Sequence, residues 1–191
     1  MPCLARLRDG CLLIAGWEGE RLSRRRHAEG ALRGAGGVAL GARPGGAWLR
    51  GRYSGPYVRD QLLDRGILVE TVETATSWAG LLDLYGSVRS ALPGIVLCHV
   101  SHVYATGASL YFTVLARQQR GAEIEQWEAL KTASLDAIGA GGGTVTHHHG
   151  IGRDHAGRLG GEIGGLGIDV LRAAKAVLDP GGIMNPGKLL G

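Results

Sequence analysis

Three consecutive histidines, His147 to His149, are the side chains with the clearest chemical potential. They lie between residues 141–143, which are all glycine, and a Gly-Ile-Gly stretch at 150–152. The ordinary pKa of imidazole, about 6.5, is close to neutral pH, so these side chains can give or take protons there. Flanking glycines allow backbone conformations that turn several imidazoles into one cleft. A solvated polar loop or a tag is the alternative, but tags lie at chain ends and this run is internal.

Metal binding is a second use for such a run. Neighbouring side chains of an extended segment point to opposite faces, so His147 and His149 could share an ion that His148 would not easily reach. Zinc sites usually space their ligands by two or more residues. The sequence therefore predicts no metal, and a histidine metal site that would bind zinc or nickel stays open as an alternative.

The elements that must position these histidines follow from hydrophobic periodicity. Strands are predicted over 11–17, 38–40, 67–74 and 144–146, a hairpin over 95–103 and 108–115, and helices over 18–33, 54–66, 77–92, 122–140 and 170–178. Residues 43–51 and 153–167 read as glycine-rich loops. This order predicts an α+β fold with a mostly antiparallel sheet, helices packed on one face, and a C-terminal helical tail.

The hairpin brings a second set of polar side chains together. If its turn is centred on Thr106, Tyr111 lies opposite Ser101. Thr113 then lies opposite His99, and all four side chains share one face. An ordinary solvent-exposed face explains the same alternation equally well.

Composition excludes several classes of protein. The 191 residues are 45% hydrophobic, enough for one ordinary domain or two small ones. The net charge is +4, and the compact basic run at 24–26 has no interleaved aromatic residues, so no nucleic-acid partner is expected. Three widely spaced cysteines indicate a reducing compartment. Without a signal-peptide pattern or a long apolar run, a cytoplasmic location is expected.

Six stretches of the chain resemble one family, in the family's own order. They are 56–60 (PYVRD), 73–78 (ETATSW), 98–104 with 107–112 (CHVSHVY, GASLYF), 146–152 (THHHGIG), 171–180 (LRAAKAVLDP) and 185–189 (NPGKL). This pattern resembles the C-terminal part of FAD-linked oxidases of the vanillyl-alcohol-oxidase type. The triple histidine resembles their alkyldihydroxyacetonephosphate synthase branch.

The resemblance implies that residues 1–191 form one cap, or substrate, domain of ferredoxin-like fold that covers the flavin ring of FAD. A separate FAD-binding domain precedes the cap in the family, and it is absent from this sequence. Residues 43–51 lack the strand-then-helix context of a dinucleotide loop. We therefore expect a fragment, a truncated gene product, or a subunit that meets its FAD domain as another polypeptide. A homodimer is expected for the full-length protein.

The resemblance also implies a reaction in which an acyl-dihydroxyacetone phosphate exchanges its acyl group for a long-chain alcohol, with no net redox change. The expected substrate is a lipid phosphate, so contact with a membrane surface is kept as one alternative.

Roles for individual residues come from the same resemblance. Arg59 would grip the departing carboxylate, as a guanidinium fork can. Tyr111 and His147, His148 and His149 would be catalytic. His148, Asn185 and Lys188 would approach the flavin. A surface arginine, an ordinary strand tyrosine and a solvated chain end are the plain alternatives.

His99 and His102 are candidates for supporting roles, although core or surface histidines are the more usual reading, and His155 has no assigned role. Two other functions remain open. One is an FAD-linked oxidase of a 2-hydroxy acid, a branch that often carries metal-binding histidine pairs. The other is an inactive module that binds a partner FAD subunit.

Overall fold

A computed structural model describes residues 12–17 and 22–190 of the chain. The chain divides into two compact units, residues 1–58 and 59–191. The elements are α1 (Leu22–Gly34), α2 (Arg43–Gly51), α3 (Gly55–Asp64), β1 (Ile67–Ser77), α4 (Leu81–Ala91), β2 (Ile95–Val103), β3 (Gly107–Arg117), α5 (Glu123–Ala140) and α6 (Ala156–Leu178).

The first unit departs most from the sequence predictions. Helix α1 agrees with the predicted helix from Leu22 onward, while residues 18–21 and Cys11 lie outside the described residues. Residues 12–17 and 38–40 form no strand, and their side chains are exposed. An isolated apolar run cannot be a strand without a pairing partner. The predicted loop at 43–51 is helix α2, because Pro44 suits a first helical turn.

The second unit is built on a three-stranded antiparallel sheet in the order β1-β3-β2. Helices α4 and α5 pack against one face, which confirms the predicted α+β class. Alternate residues of the strands supply that face, as the two-residue period of a strand requires. The core contains Leu68, Val72, Leu84, Val88, Leu92, Leu110, Phe112, Val114, Leu130 and Ile138.

The hairpin has the predicted strands but a different register. Tyr111 lies opposite His99, not Ser101, and Leu97 lies opposite Thr113. The pairing is irregular between Val100 and Val103, and this irregularity accounts for one residue of the two-residue shift. The turn accounts for the other, because Val103 pairs with Ala108 and not with Ser109. A register shift of two residues keeps His99, Tyr111 and Thr113 on one face, whereas a shift of one would reverse them.

The sheet face away from α4 and α5 carries a row of three polar side chains. Glu73 of β1 lies opposite Tyr111 of β3, and Tyr111 lies opposite His99 of β2. On the same face, Ile95 and Leu97 are 61% and 54% exposed. On the helix-covered face, burial raises the pKa of the Cys98 thiol to about 11, so this cysteine is unsuited to nucleophilic chemistry at neutral pH.

The C-terminal part is more helical than predicted. Helix α6 starts at Ala156, inside the expected loop, and is interrupted at Gly164, where φ is 73°. Glycine adopts this left-handed conformation without the strain other residues would incur. The predicted strand at 144–146 is absent, and an irregular segment leads to the histidines. Among the helices of the described residues, none combines the length and apolar character needed to cross a membrane.

Candidate functional site

The histidine run begins where α5 ends against β1. A side chain at Gly143 would place its Cβ only 2.5 Å from Oγ1 of Thr74, so this close approach requires glycine. The next residue, Thr144, donates its N–H to the carbonyl of Ala75 at 3.0 Å and accepts the Ala75 N–H on Oγ1 at 2.9 Å. Its carbonyl accepts a hydrogen bond from Thr74 Oγ1 at 2.7 Å. These bonds hold the start of the histidine loop along the edge of β1.

A second anchor comes from the first turns of α6. The Oε2 atom of Glu162 accepts the N–H of Val145 at 2.6 Å. Arg158, on the same helix, forms a 2.6 Å ion pair with Asp136 of α5. The segment before the histidines is therefore held between β1, α5 and α6.

Glu73 anchors the histidines themselves. Its side chain is on the face of β1 that points away from α4 and α5, and it is only 3% exposed. Its Oε1 atom accepts the backbone N–H groups of His148 at 2.6 Å and of His149 at 2.8 Å. Thr146 approaches the same oxygen with its hydroxyl at 3.5 Å. One carboxylate oxygen therefore satisfies two consecutive backbone donors of the loop.

The electrostatic state of Glu73 follows from these contacts. Burial by itself raises the pKa of this carboxyl, but the two backbone N–H groups and the nearby imidazoles of His149 and His148 outweigh it and lower the pKa below its ordinary value. The group is therefore a carboxylate at neutral pH. Its Oε2 atom lies 2.8 Å from Nδ1 of His148 but has no partner in hydrogen-bonding geometry.

The imidazoles continue this chain of contacts outward. Nδ1 of His148 lies 3.0 Å from Nδ1 of His147, and Nε2 of His147 lies 2.9 Å from the hydroxyl oxygen of Tyr104. Tyr104 follows the end of β2, and its carbonyl accepts a hydrogen bond from the indole of Trp78 at 3.2 Å. Glu73, His148, His147 and Tyr104 thus form a continuous row of polar contacts.

Two further side chains complete the cluster. The ring of His102 lies 4.9 Å from that of His147 and 5.1 Å from that of His148, measured between centroids. Tyr111 and His149 meet edge-to-face with centroids 5.7 Å apart. The structure therefore brings Tyr111 and all three consecutive histidines together, as the sequence led us to expect.

His102, a candidate for a supporting role, is exposed, and its ring lies beside those of His147 and His148. Its Nδ1 atom lies 3.0 Å from Oγ of Ser101 and 3.4 Å from Oγ of Ser109. Ser109 is fully buried and also accepts the N–H of His102 at 2.9 Å. These two hydroxyls orient the imidazole toward the histidine loop.

The C-terminal tail reaches the loop through its backbone. Asp179 accepts the N–H groups of Ile183 and Met184 and pairs with Lys175 at 2.6 Å. The hydrogen bond from Lys175 is the main reason that the pKa of Asp179 is below its ordinary value. Five residues after Met184, Leu189 donates its N–H to the carbonyl of Gly152 at 2.8 Å. The tail is thereby tied to the residue that follows the histidine run.

The other candidates are less closely placed. Asn185 and Lys188 lie in this tail with exposed side chains, so their approach to a flavin stays a prediction. Arg59 is exposed on α3 and makes no hydrogen bond or ion pair with the part of the chain that the structure describes. His99 is exposed opposite Tyr111. His155 makes only a local contact, from its ring to the carbonyl of Ile151 at 3.2 Å.

Sequence reasoning did not single out Glu73 or Tyr104. Glu73 was quoted only as part of a motif, although its odd position in an alternating strand already placed it on the face away from Val72. A carboxylate on that face could have been paired with Tyr111 once the strand order was known. No local pattern indicated that Tyr104 would contact a histidine 43 residues later.

Two groups of side chains have the spacing of metal ligands. Their ligand atoms lie within 4.8 Å of one another in His102, His147 and His148, and again in Glu73, His148 and His149. The adjacent residues His148 and His149 converge because their segment bends, whereas the sequence argument assumed an extended chain. The prediction of no metal stays a prediction.

This arrangement is suited to acid–base chemistry. It offers several imidazole nitrogens and two phenols beside one buried carboxylate, and the His148 and His149 side chains are 49% and 42% exposed. Imidazoles that a carboxylate orients can take up and return protons near neutral pH. The cluster lies on the sheet face opposite the one against which α4 and α5 pack.

Comparison with known proteins identifies the family of this chain. The model of a family described as FAD linked oxidases, C-terminal domain, matches residues 6–189. Alkyldihydroxyacetonephosphate synthase of Dictyostelium discoideum is 32% identical over 94% of this chain and 31% of its own length. The Trypanosoma brucei brucei enzyme of the same name is 29% identical over the same shares.

A solved structure of alkyldihydroxyacetonephosphate synthase superposes with a TM-score of 0.56 at 27% identity, over 86% of this chain and 28% of that one. A probable mitochondrial D-lactate dehydrogenase of Danio rerio is 50% identical over 48 residues, a quarter of this chain. The chain spans about a third of the length of the synthases that it matches. With a family model that covers nearly all of it, the chain belongs to the FAD linked oxidases, C-terminal domain, a family of FAD-dependent enzymes.

Proposed function

We propose that this chain is the cap part of an FAD-dependent enzyme that exchanges the acyl group of an acyl-dihydroxyacetone phosphate for a long-chain alcohol. The observation that carries the proposal is the cluster in which Glu73 holds the backbone of His148 and His149, with His147 beside His148 and Tyr111 beside His149. The triple histidine and the similarity to synthases over 94% of the chain support this branch of the family.

The residues present fit the flavin end of FAD. Imidazoles and a phenol border a sheet face on which Ile95 and Leu97 expose apolar surface, a combination suited to a flat ring with a polar rim. His148, Asn185 and Lys188 would hold the flavin side of the cofactor, and an FAD-binding domain would supply most other contacts. When bound, the flavin would supply the electronic activation that no side chain of this cluster provides.

The chain's own residues would then place charge and protons. One imidazole of the run would take a proton from the substrate carbon, and a second would orient it or bind the phosphate. Tyr111 would donate or relay a proton, because a phenol oriented by neighbours can do both. Arg59 would grip the departing fatty acid carboxylate, which requires that α3 lie beside the substrate in the complete enzyme.

The proposal is tested by supplying an FAD-binding domain in trans. The chain would be combined with the part of the Dictyostelium synthase that lies outside the matched region. Transfer of a labelled long-chain alcohol and release of fatty acid would then be measured. We expect alcohol incorporation that depends on acyl-dihydroxyacetone phosphate and on both polypeptides.

Single substitutions identify the acid–base residue. Alanine at His147, His148 and His149 in turn should lower turnover roughly a hundredfold or more for the residue that transfers the proton. His27→Ala is the matched control, since His27 is exposed on α1 and should leave turnover unchanged. Equal turnover in all four variants would contradict the proposal.

A 2-hydroxy acid dehydrogenase is the second candidate, and the local similarity to a probable D-lactate dehydrogenase favours it. The two functions differ in redox balance, because a dehydrogenase passes electrons to an acceptor and the exchange reaction passes none. Reduction of an artificial electron acceptor by D-lactate would favour the dehydrogenase.

The third candidate is an inactive module that binds a partner. Measurements of flavin uptake and of turnover distinguish this module from both enzymes. A yellow complex that forms with the added FAD domain but turns over neither substrate would support the module. A chain that purifies colourless and acquires flavin only with that domain supports an FAD partner in trans.

A further inference from the structure

The proton positions in the row from Glu73 to Tyr104 can be assigned by counting donors and acceptors. A neutral imidazole carries one proton, and its hydrogen-bond partners decide which nitrogen holds it. The carboxylate of Glu73 lies at the inner end of this row, and its residue is only 3% exposed. The assignment therefore starts from Glu73.

Glu73 determines the proton on His148. Its Oε1 atom is occupied by two backbone N–H groups, so Oε2 is the atom that faces the imidazole. Oε2 is buried, lacks a hydrogen-bond partner and lies 2.8 Å from Nδ1 of His148. A bare nitrogen lone pair at that distance would repel the carboxylate oxygen, whereas an N–H group there is attracted to it.

The rest of the row follows from this first proton. With the proton of His148 on Nδ1, that N–H is directed at Nδ1 of His147, 3.0 Å away, which has to be the acceptor. Oε2 of Glu73 attracts the same N–H from beside it, outside hydrogen-bonding geometry. The proton of His147 is then on Nε2, which donates to the Tyr104 oxygen at 2.9 Å. Each donor in the row is thus directed at the next residue outward from Glu73, and the hydroxyl proton of Tyr104 is left to donate outward.

We propose that Glu73 is a positioning residue that holds the proton of His148 on Nδ1 and so makes Nε2 of His148 the proton acceptor of the site. Among the described residues, Nε2 of His148 makes no hydrogen bond, so it is available to a substrate. His147 is then not the base, because its Nε2 donates to Tyr104. Only the catalytic use of this nitrogen rests on the proposed function; the assignment itself rests on the cluster.

A carboxylate in this position also favours protonation of Nε2. When Nε2 takes a proton, His148 becomes an imidazolium whose Nδ1 atom lies 2.8 Å from Oε2 of Glu73, and the opposite charges attract. The other ionisable groups in contact are His149, whose Nδ1 is 3.6 Å from Oε1, and His102, whose ring packs on His148. Neither lies between Oε2 and Nδ1.

Nitrogen-15 NMR of the histidine-labelled 191-residue chain tests the assignment without flavin or substrate, since it separates protonated from bare ring nitrogens. His148→Gln identifies the signals of His148 by their loss. We expect the wild-type chain, above the titration range of its imidazoles, to show a protonated Nδ1 and a bare Nε2 at His148. A proton on Nε2 instead would overturn the proposal.

Glu73→Gln gives a second, directional test. The Gln oxygen can still accept both backbone N–H groups, which turns the amide NH₂ toward His148. Nδ1 of His148 then has to be an acceptor, so the proton should move to Nε2. An unchanged pattern in a folded Glu73→Gln chain would also overturn the proposal.

Glu70→Gln is the matched control, because Glu70 is on the same strand but faces α5. In the Glu70→Gln chain the proton of His148 should stay on Nδ1, as in the wild type. If the proton moves to Nε2 in this variant as well, the move reflects a general disturbance of β1 and not the loss of the Glu73 charge, and the proposal is contradicted. If Glu73→Gln does not fold, the wild-type measurement decides by itself. A correct assignment with no turnover would leave the positioning role in place and reject only the proposed function.

Discussion

Two neighbours on β3, Tyr111 and Phe112, point to opposite faces of the sheet and meet different surroundings. Phe112 has no exposed surface and stacks on Tyr85 of α4 with ring centroids 6.3 Å apart. Tyr111 is partly exposed, and its ring meets that of His149 edge-to-face. One face of the sheet is thus packed against α4 and α5, and the other carries the polar side chains of the cluster.

Two glutamates of β1 repeat the contrast. Glu70 faces α5, where it lies 3.2 Å from Lys131 and accepts a hydrogen bond from Trp127. Glu73, three residues later, faces the open side and accepts backbone N–H groups of the histidine loop. The same side chain on the same strand joins a helix to the sheet on one face and shapes a loop on the other.

The largest effect should come from the packed face. Phe112→Ala removes a fully buried ring and leaves a cavity, so we expect the free energy of unfolding to fall by about 3–5 kcal/mol. Urea denaturation measures this change. Tyr111→Ala is the control on the adjacent residue and should cost much less; equal losses would mean that the two faces are equally packed.

Glu73→Ala should come next. It leaves the backbone N–H groups of His148 and His149 without their acceptor, which we expect to cost about 2–3 kcal/mol of unfolding free energy. Hydrogen exchange of those two amides should accelerate in this variant. Glu70→Ala should not change exchange at these amides, and acceleration in both variants would remove the distinction between the two glutamates.

A smaller effect is expected from acid. The pKa of Glu73 is below its ordinary value of 4.5 in the folded chain, so the unfolded chain takes up a proton at higher pH than the folded one. Its contribution to stability is therefore complete above about pH 5 and falls as pH decreases through the folded pKa. Asp179 has a shift of the same sign.

The difference between wild type and Glu73→Gln isolates this contribution, because Asp179 is present in both chains. Unfolding free energies measured from neutral pH downward should converge for the two chains in acid. A constant difference at all pH values would show that the charge of Glu73 does not stabilise the loop.

The smallest effect belongs to the open face. Tyr111→Phe removes only a hydroxyl that makes no hydrogen bond with the described residues, so we expect the unfolding free energy to change by less than about 0.5 kcal/mol. Thermal denaturation would detect a larger change. A loss above about 1 kcal/mol would indicate that the phenol has a structural role.

Prediction from sequence succeeded for elements whose structure follows from their own hydrophobic periodicity. The long periodic segments became α4, α5, β1 and β3 near their expected bounds. Prediction failed for segments whose structure depends on contacts with other parts of the chain. The apolar run at 12–17 found no strand to pair with, and the glycine-rich stretch at 156–167 joined α6 despite its composition.

The site divides in the same way. The histidine run and Tyr111 were recognised from residue type, motif and strand alternation. Glu73, His102 and Tyr104 acquire their roles only through contacts between residues distant in sequence. Arg59, Asn185 and Lys188 are expected to act on bodies outside this chain, so their roles stay predictions.

The sequence by itself determined which segments are amphipathic, which residues can exchange protons near neutral pH, and which family motifs occur. The tertiary structure decided the pairing of β1 with β3, and through it that Glu73 stands beside Tyr111 and below the histidine loop. Local preferences act over a few residues, whereas this loop is held by a carboxylate 75 positions away. Only packing of α4 and α5 on one face leaves the other face free to place that carboxylate.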